Sequence, residues 1–165
     1  MTRRLRPVGL DFLERAPARL VFTAKAAASP EALYRALAED VTGWPSWFGA
    51  VSLARPTGGG AGREVRLRGG VRFQETVLAA EGPRRYAYRV DTTNAPGLHA
   101  LLEEWRLAPA AAPHSPGTLV RWTFAADGPA PFRLALAAAR PGLGRSFRTA
   151  VRTLDTRLAA APSRG

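Results

Sequence analysis

The sequence predicts an α+β domain: one antiparallel sheet of about six to seven strands, two short helices after the first strand, and a long helix at the C-terminal end. Three observations predict it. Between Val51 and Ala126 apolar residues recur at every second position, and turn residues punctuate the pattern, as in strands with one buried face. After Pro129 the period lengthens to that of a helix. Near the start, an alternating segment runs directly into a helix-opening Ser29-Pro30-Glu31.

Residues 1–18 carry Pro7, Gly9 and Pro17 and are expected to be an irregular leader; residues 19–160 are read as a single domain. In Arg19–Ala27, Leu20, Phe22, Ala24 and Ala26 share one face, which makes this the first strand. Ser29 is a helix N-cap, Pro30 suits the first helical position, and Glu31 sits where the helix dipole favours an anion. Leu33, Leu37 and Val41 form that helix's buried stripe, and Gly43 ends it. Trp44-Pro45-Ser46-Trp47-Phe48 predicts a second short helix from Pro45. Strands follow at Val51–Arg55, Arg63–Arg68, Val71–Ala80, Arg84–Asp91, Leu98–Ala108 and Thr118–Ala126. Gly69-Gly70 marks a hairpin. The glycine-rich turn at 57–62 lacks the lysine and the strand-helix order of a phosphate loop. Phe132–Ala139 and Leu143–Leu158 read as helix, interrupted by Pro141-Gly142. In the second piece Leu143, Phe147, Val151, Leu154 and Leu158 face one way, and Arg145, Arg148 and Arg152 the other. An antiparallel sheet of this size needs one face covered, and this helix is the cover.

Composition excludes several chemistries. There is no cysteine, so disulfides, thiol catalysis and cysteine-held metals are out. The two histidines, His99 and His114, lack ligand spacing to each other, so no metal and no cofactor is expected. With so few histidines no Ser-His-Asp triad can be assembled. No apolar run reaches membrane-spanning length, and charges interrupt any signal-peptide core, so a cytoplasmic location is expected. Net charge is +11, and Lys25 is the only lysine among 24 basic residues. Scattered arginines alongside abundant Ala, Gly and Pro suggest the coding bias of a high-GC bacterial genome. No nucleic-acid motif accompanies them. The arginine face of the last helix leaves an anionic surface open as a partner.

The order strand, two short helices, meandering strands, long helix resembles the START-like (SRPBCC) superfamily. The likeness is carried by SPEALYRALAEDVTGWPSWF, PGLHALLEEWRL and GTLVRWTF and spans about residues 19–160. Within the superfamily the chain is most similar to the polyketide cyclase/dehydrase group. The resemblance implies a helix-grip fold, in which a curved sheet wraps the C-terminal helix and encloses a cavity. It implies a small hydrophobic ligand, polyketide- or lipid-like. Superfamily membership does not by itself specify chemistry.

Strand alternation then nominates residues. Val71, Phe73, Glu75 and Val77 share a face, as do Leu101, Glu103, Trp105 and Leu107. Glu75 and Glu103 are thus carboxylates on otherwise apolar faces. Desolvation there raises a carboxyl pKa toward neutrality, which suits proton transfer beside a carbonyl in a cyclase or dehydratase. Both are therefore candidate catalytic residues, with Tyr86 or Tyr88 as hydrogen-bond donor. Either glutamate could instead pair with Arg89, Arg106 or Arg121, or a one-residue bulge could turn it outward. Candidate ligand-binding residues are Phe73, Tyr86, Tyr88, Trp105, Trp122 and Phe147.

Overall fold

A computed structural model describes residues 1–111, 113 and 116–161. His114 lies outside the described residues. The main sheet runs β2 (Ala18–Ala26), β8 (Thr118–Asp127), β7 (Ala100–Pro109), β6 (Arg85–Thr93), β5 (Arg72–Glu81), β4 (Gly62–Leu67) and β3 (Val51–Thr57), each antiparallel to its neighbour. An eighth, two-residue strand, β1 (Arg3–Arg4), joins the sheet on β6. One long helix, α3 (Ala130–Ala160), lies across the concave face. This is the expected helix-grip architecture.

The link between β2 and β3 follows the capping chemistry. Ser29 Oγ accepts the Ala32 amide, 3.2 Å, and Pro30 opens α2 (Pro30–Tyr34). That helix then widens into a π-helical turn at Arg35–Glu39, and a 3-10 helix occupies Val41–Ser46. Leu33, Leu37 and Val41 are buried, but they fall in three successive helical pieces rather than one helix, and Gly43 and Pro45 both lie inside the 3-10 helix instead of ending one helix and opening the next. Trp44 donates its indole N–H to the Leu37 carbonyl, 3.0 Å, which ties the 3-10 helix back to the turn before it.

Two further expectations are corrected. Residues 1–18 are not irregular throughout. Where β6 and β7 diverge beyond the Arg89–Leu102 pair, β1 takes up the free end of β6 at Thr92 and Thr93. The Leu5 amide then donates to the Asp91 carbonyl and the Arg6 amide to that of His99. The short helix α1 (Phe12–Arg15) follows. Val8, Phe12 and Leu13 cover Ala100, Leu102 and Ala125 on the convex face. Pro7 and Gly9 hide the pattern in the sequence, but the apolar side chains have a small-residue patch to bury.

Pro141 also fails to interrupt α3, which is continuous over 31 residues. A mid-helix proline forgoes one hydrogen bond and crowds the carbonyl four residues back, here that of Ala137. Burial holds the segment beyond it. Phe147, Ala150, Val151 and Leu154 recur at helical spacing and are all buried, and each large apolar side chain so buried stabilises by about 1.5–3 kcal/mol. Close approach to β2 requires Gly144, where a Cβ would come within 3.1 Å of the Phe22 ring. Asp155 accepts the Ala27 and Ala28 amides, both at 2.8 Å, and fixes the far end of the helix to the loop after β2. The first turns of α3 are by contrast exposed, with only Phe132 and Leu136 half-buried.

Candidate functional site

Between the concave face and α3 lies a cavity of about 300 Å³. Trp44, Phe48, Phe73, Trp122 and Phe124 give it aromatic walls, and Leu136, Ala139, Leu143 and Ser146 contribute from the helix. The charged residues on its lining are Arg63, Glu75 and Glu103.

Arg63 and Glu75 face each other across β4 and β5. Both are almost wholly buried, 2% and 4% exposed, and the Arg63 Nε–H donates to Glu75 Oε2. The guanidinium carbon lies 3.7 Å from the centre of the Tyr88 ring and 4.3 Å from that of Trp44, a desolvated cation–π arrangement. Gly62 permits this: a Cβ there would strike the Glu75 carbonyl. Burial alone would lower the Arg63 pKa, but the Glu75 carboxylate beside it holds the guanidinium charged. Burial pushes the Glu75 carboxyl up to about 7, against the opposing pull of Arg63 and with help from the nearby Glu103. Arg63 Nη1 is the one buried side-chain nitrogen or oxygen without a hydrogen-bond partner among the described residues.

Glu103 belongs to a second network. Tyr88 donates its hydroxyl to Glu103 Oε2 at 2.7 Å, and Trp122 donates its indole N–H to the same oxygen at 3.1 Å. Trp105 donates to the Tyr88 hydroxyl at 3.1 Å. Glu103 keeps some accessible surface although protein surrounds it, as a group on a cavity wall does. Burial raises its pKa, and the Tyr88 hydrogen bond offsets this only in part. Both donors meet Oε2.

Of the six residues nominated as ligand contacts, Phe73, Tyr88 and Trp122 line the cavity. Tyr86, Trp105 and Phe147 lie outside that lining. Tyr86 fronts a separate depression with Tyr34, Val41 and Pro56. Trp105 and Phe147 are buried against each other, 5.7 Å between ring centres, and both pack on Trp122. They support the wall from behind, through their packing on Trp122.

Alternation in the sequence missed Arg63. It shares a face with Val65 and Leu67, two and four residues on, and both of those line the cavity with it. The arginines considered as partners for the glutamates sit on the outer face: Arg89 pairs with Asp91, Arg106 with Glu104, and Arg121 is exposed. Glu104 points outward and accepts from Arg85 and Arg106, so it does not compete with Glu103 for the cavity. Arg145, Arg148 and Arg152 are exposed on α3. Among the described residues no cluster of three or more His, Asp or Glu could hold a metal, and no helix is long and apolar enough to cross a membrane.

Comparison with known proteins agrees with this architecture. The family described as polyketide cyclase/dehydrase and lipid transport matches residues 17–159. An uncharacterised protein of Mycobacterium tuberculosis is 34% identical over 163 residues, covering 93% of this chain and 95% of that protein. Among solved structures, XoxI of Bacillus cereus superposes with a TM-score of 0.68 at 16% identity, over 87% of this chain and 96% of XoxI. A START superfamily protein of Mycobacterium smegmatis does so with a TM-score of 0.65 at 12% identity, over 86% of this chain and 97% of that one. At such identities the structural likeness is one of fold. With the family match spanning nearly its whole length, the chain belongs to the polyketide cyclase/dehydrase and lipid transport family.

Proposed function

We propose that the protein binds a small hydrophobic molecule, polyketide- or lipid-like, between the sheet and α3. The observation that carries this reading is the aromatic-walled cavity of about 300 Å³, within the range of small-molecule sites, which are mostly apolar with a few placed polar groups. Native mass spectrometry of the protein purified from its own host tests it. An apolar compound should co-purify, and should be lost from a Leu143→Trp protein whose indole fills the space. If the wild type carries nothing and naphthalene leaves Trp44 and Trp122 fluorescence unquenched, the reading fails.

A second reading adds chemistry of the cyclase or dehydratase type, and the two cavity carboxyls favour it. Glu75, with its pKa near neutrality, is suited to take a proton from carbon beside a carbonyl. Glu103 is suited to deliver one to a departing hydroxyl. Glu75→Gln and Glu103→Gln proteins should then keep ligand affinity and lose turnover; turnover that survives both removes this reading.

A further inference from the structure

We propose that the cavity selects an uncharged molecule carrying a carbonyl oxygen, which accepts a hydrogen bond from Arg63 Nη1, and that it discriminates against carboxylates of the same skeleton. This deepens the binding reading above and rests on it.

Two observations carry the proposal. Arg63 lines the cavity, and its Nη1 is buried without a partner. A guanidinium offers five donors and no acceptor, so whatever satisfies Nη1 brings an oxygen or nitrogen lone pair. A buried donor left unmatched is costly, and a ligand that meets it gains that cost back as affinity. The second observation is charge balance. The lining holds one cation and two carboxyls, Glu75 and Glu103. The Glu75 carboxylate already neutralises Arg63 through the Nε bond. An entering carboxylate would add a negative charge beside that of Glu75, with no second cation on the lining to balance it and little water to screen it. It could enter only as protons came with it. A carbonyl oxygen meets the same donor with no such penalty. The aromatic walls at Trp44, Phe48, Phe124 and Trp122 suit a ring skeleton.

The test compares three naphthalenes of one shape, titrated into the intact wild-type protein by calorimetry: 2-acetylnaphthalene, 2-ethylnaphthalene and 2-naphthoate. At pH 8 the ketone should bind roughly tenfold tighter than the hydrocarbon, as a hydrogen bond to a charged group provides. Its ¹³C-labelled carbonyl should shift downfield on binding. The carboxylate should bind at least about tenfold weaker than the ketone, since it meets the Glu75 carboxylate and Arg63 is already paired. Its affinity should improve toward pH 6, with net proton uptake. In an Arg63→Met/Glu75→Leu protein, ketone and hydrocarbon should bind alike. Equal wild-type affinities for ketone and hydrocarbon would overturn the carbonyl anchor and leave the binding reading standing. Naphthoate binding tightest at pH 8 would overturn the charge argument. Failure of all three to bind would remove the binding reading, and this inference with it.

Discussion

Replacing Arg63 by Met isolates the energetics of the buried ion pair. Methionine keeps most of the volume and can still pack on Tyr88 and Trp44 through its thioether. What disappears is the charge opposite Glu75, which is 4% exposed and has Arg63 as its salt-bridge partner. Breaking one side of a buried pair costs about 3–5 kcal/mol, against a total stability for a domain of this kind of about 5–15 kcal/mol. With a urea m-value of about 2 kcal/mol/M, the midpoint should fall by roughly 1.5–2.5 M at pH 8. The loss should shrink at pH 5. Without Arg63 the Glu75 carboxyl titrates higher still, and at pH 5 it is buried as a neutral acid, for which about 1–3 kcal/mol is the expected cost. Adding Glu75→Leu should recover most of the stability, because a hydrophobic pair of similar volume is often as stable as the ions it replaces. Urea unfolding of the wild type, both single variants and the double variant at pH 5 and pH 8 makes the full cycle. A pH 8 cost for Arg63→Met below about 1 kcal/mol would refute the argument, as would failure of Glu75→Leu to rescue it.

Four further outcomes are expected. Glu75 has a folded pKa of about 7, raised from 4.5, so its contribution is complete below about pH 4.5 and is lost as pH rises to about 7; a Glu75→Gln protein should show a flatter stability profile across that window in thermal melts. Phe147→Ala removes a fully buried ring that packs on Phe22, Trp105 and Trp122, and equilibrium unfolding should register about 3–5 kcal/mol of destabilisation. Asp155→Ala strips the acceptors from the Ala27 and Ala28 amides; the cost should be about 1–3 kcal/mol, with hydrogen exchange accelerated at those two amides. Pro141→Ala places a donor opposite the Ala137 carbonyl in the middle of α3, and the melting temperature should rise, the gain being about 1–2 kcal/mol once the added freedom of the unfolded chain is subtracted.

Period-two alternation made most of the sheet legible. It put Glu75 and Glu103 on the face shared with Phe73, Leu101 and Trp105, and that face is concave. The ion pair was harder to read. A two-residue Gly69-Gly70 turn would pair Arg68 with Val71, and so Arg63 with Thr76. The observed register pairs Arg66 with Arg72 and therefore Arg63 with Glu75. A single-residue difference in the connection thus decides which residues oppose each other, and turn composition does not fix it. Alternation also cannot separate a cavity wall from the core behind it. Trp122 and Trp105 sit opposite each other on adjacent strands with inward side chains, yet only Trp122 lines the space. The π-helical turn at Arg35–Glu39 leaves no composition signal at all, being a local accommodation between the capped helix and Trp44.

The N-terminal segment bears on what counts as the folding unit. The family match begins at residue 17, but the chain upstream shuts a seam that the sheet cannot shut by itself. Without residues 1–16, the end of β6 would present unpaired backbone in mid-sheet, and the small apolar patch around Ala100, Leu102 and Ala125 would lie bare. Exposed strand edge beside exposed apolar surface is how β-rich proteins come to self-associate. In this protein the first sixteen residues cover both features at once, pairing the free end of β6 through Arg3 and Arg4 and burying the patch under Val8, Phe12 and Leu13.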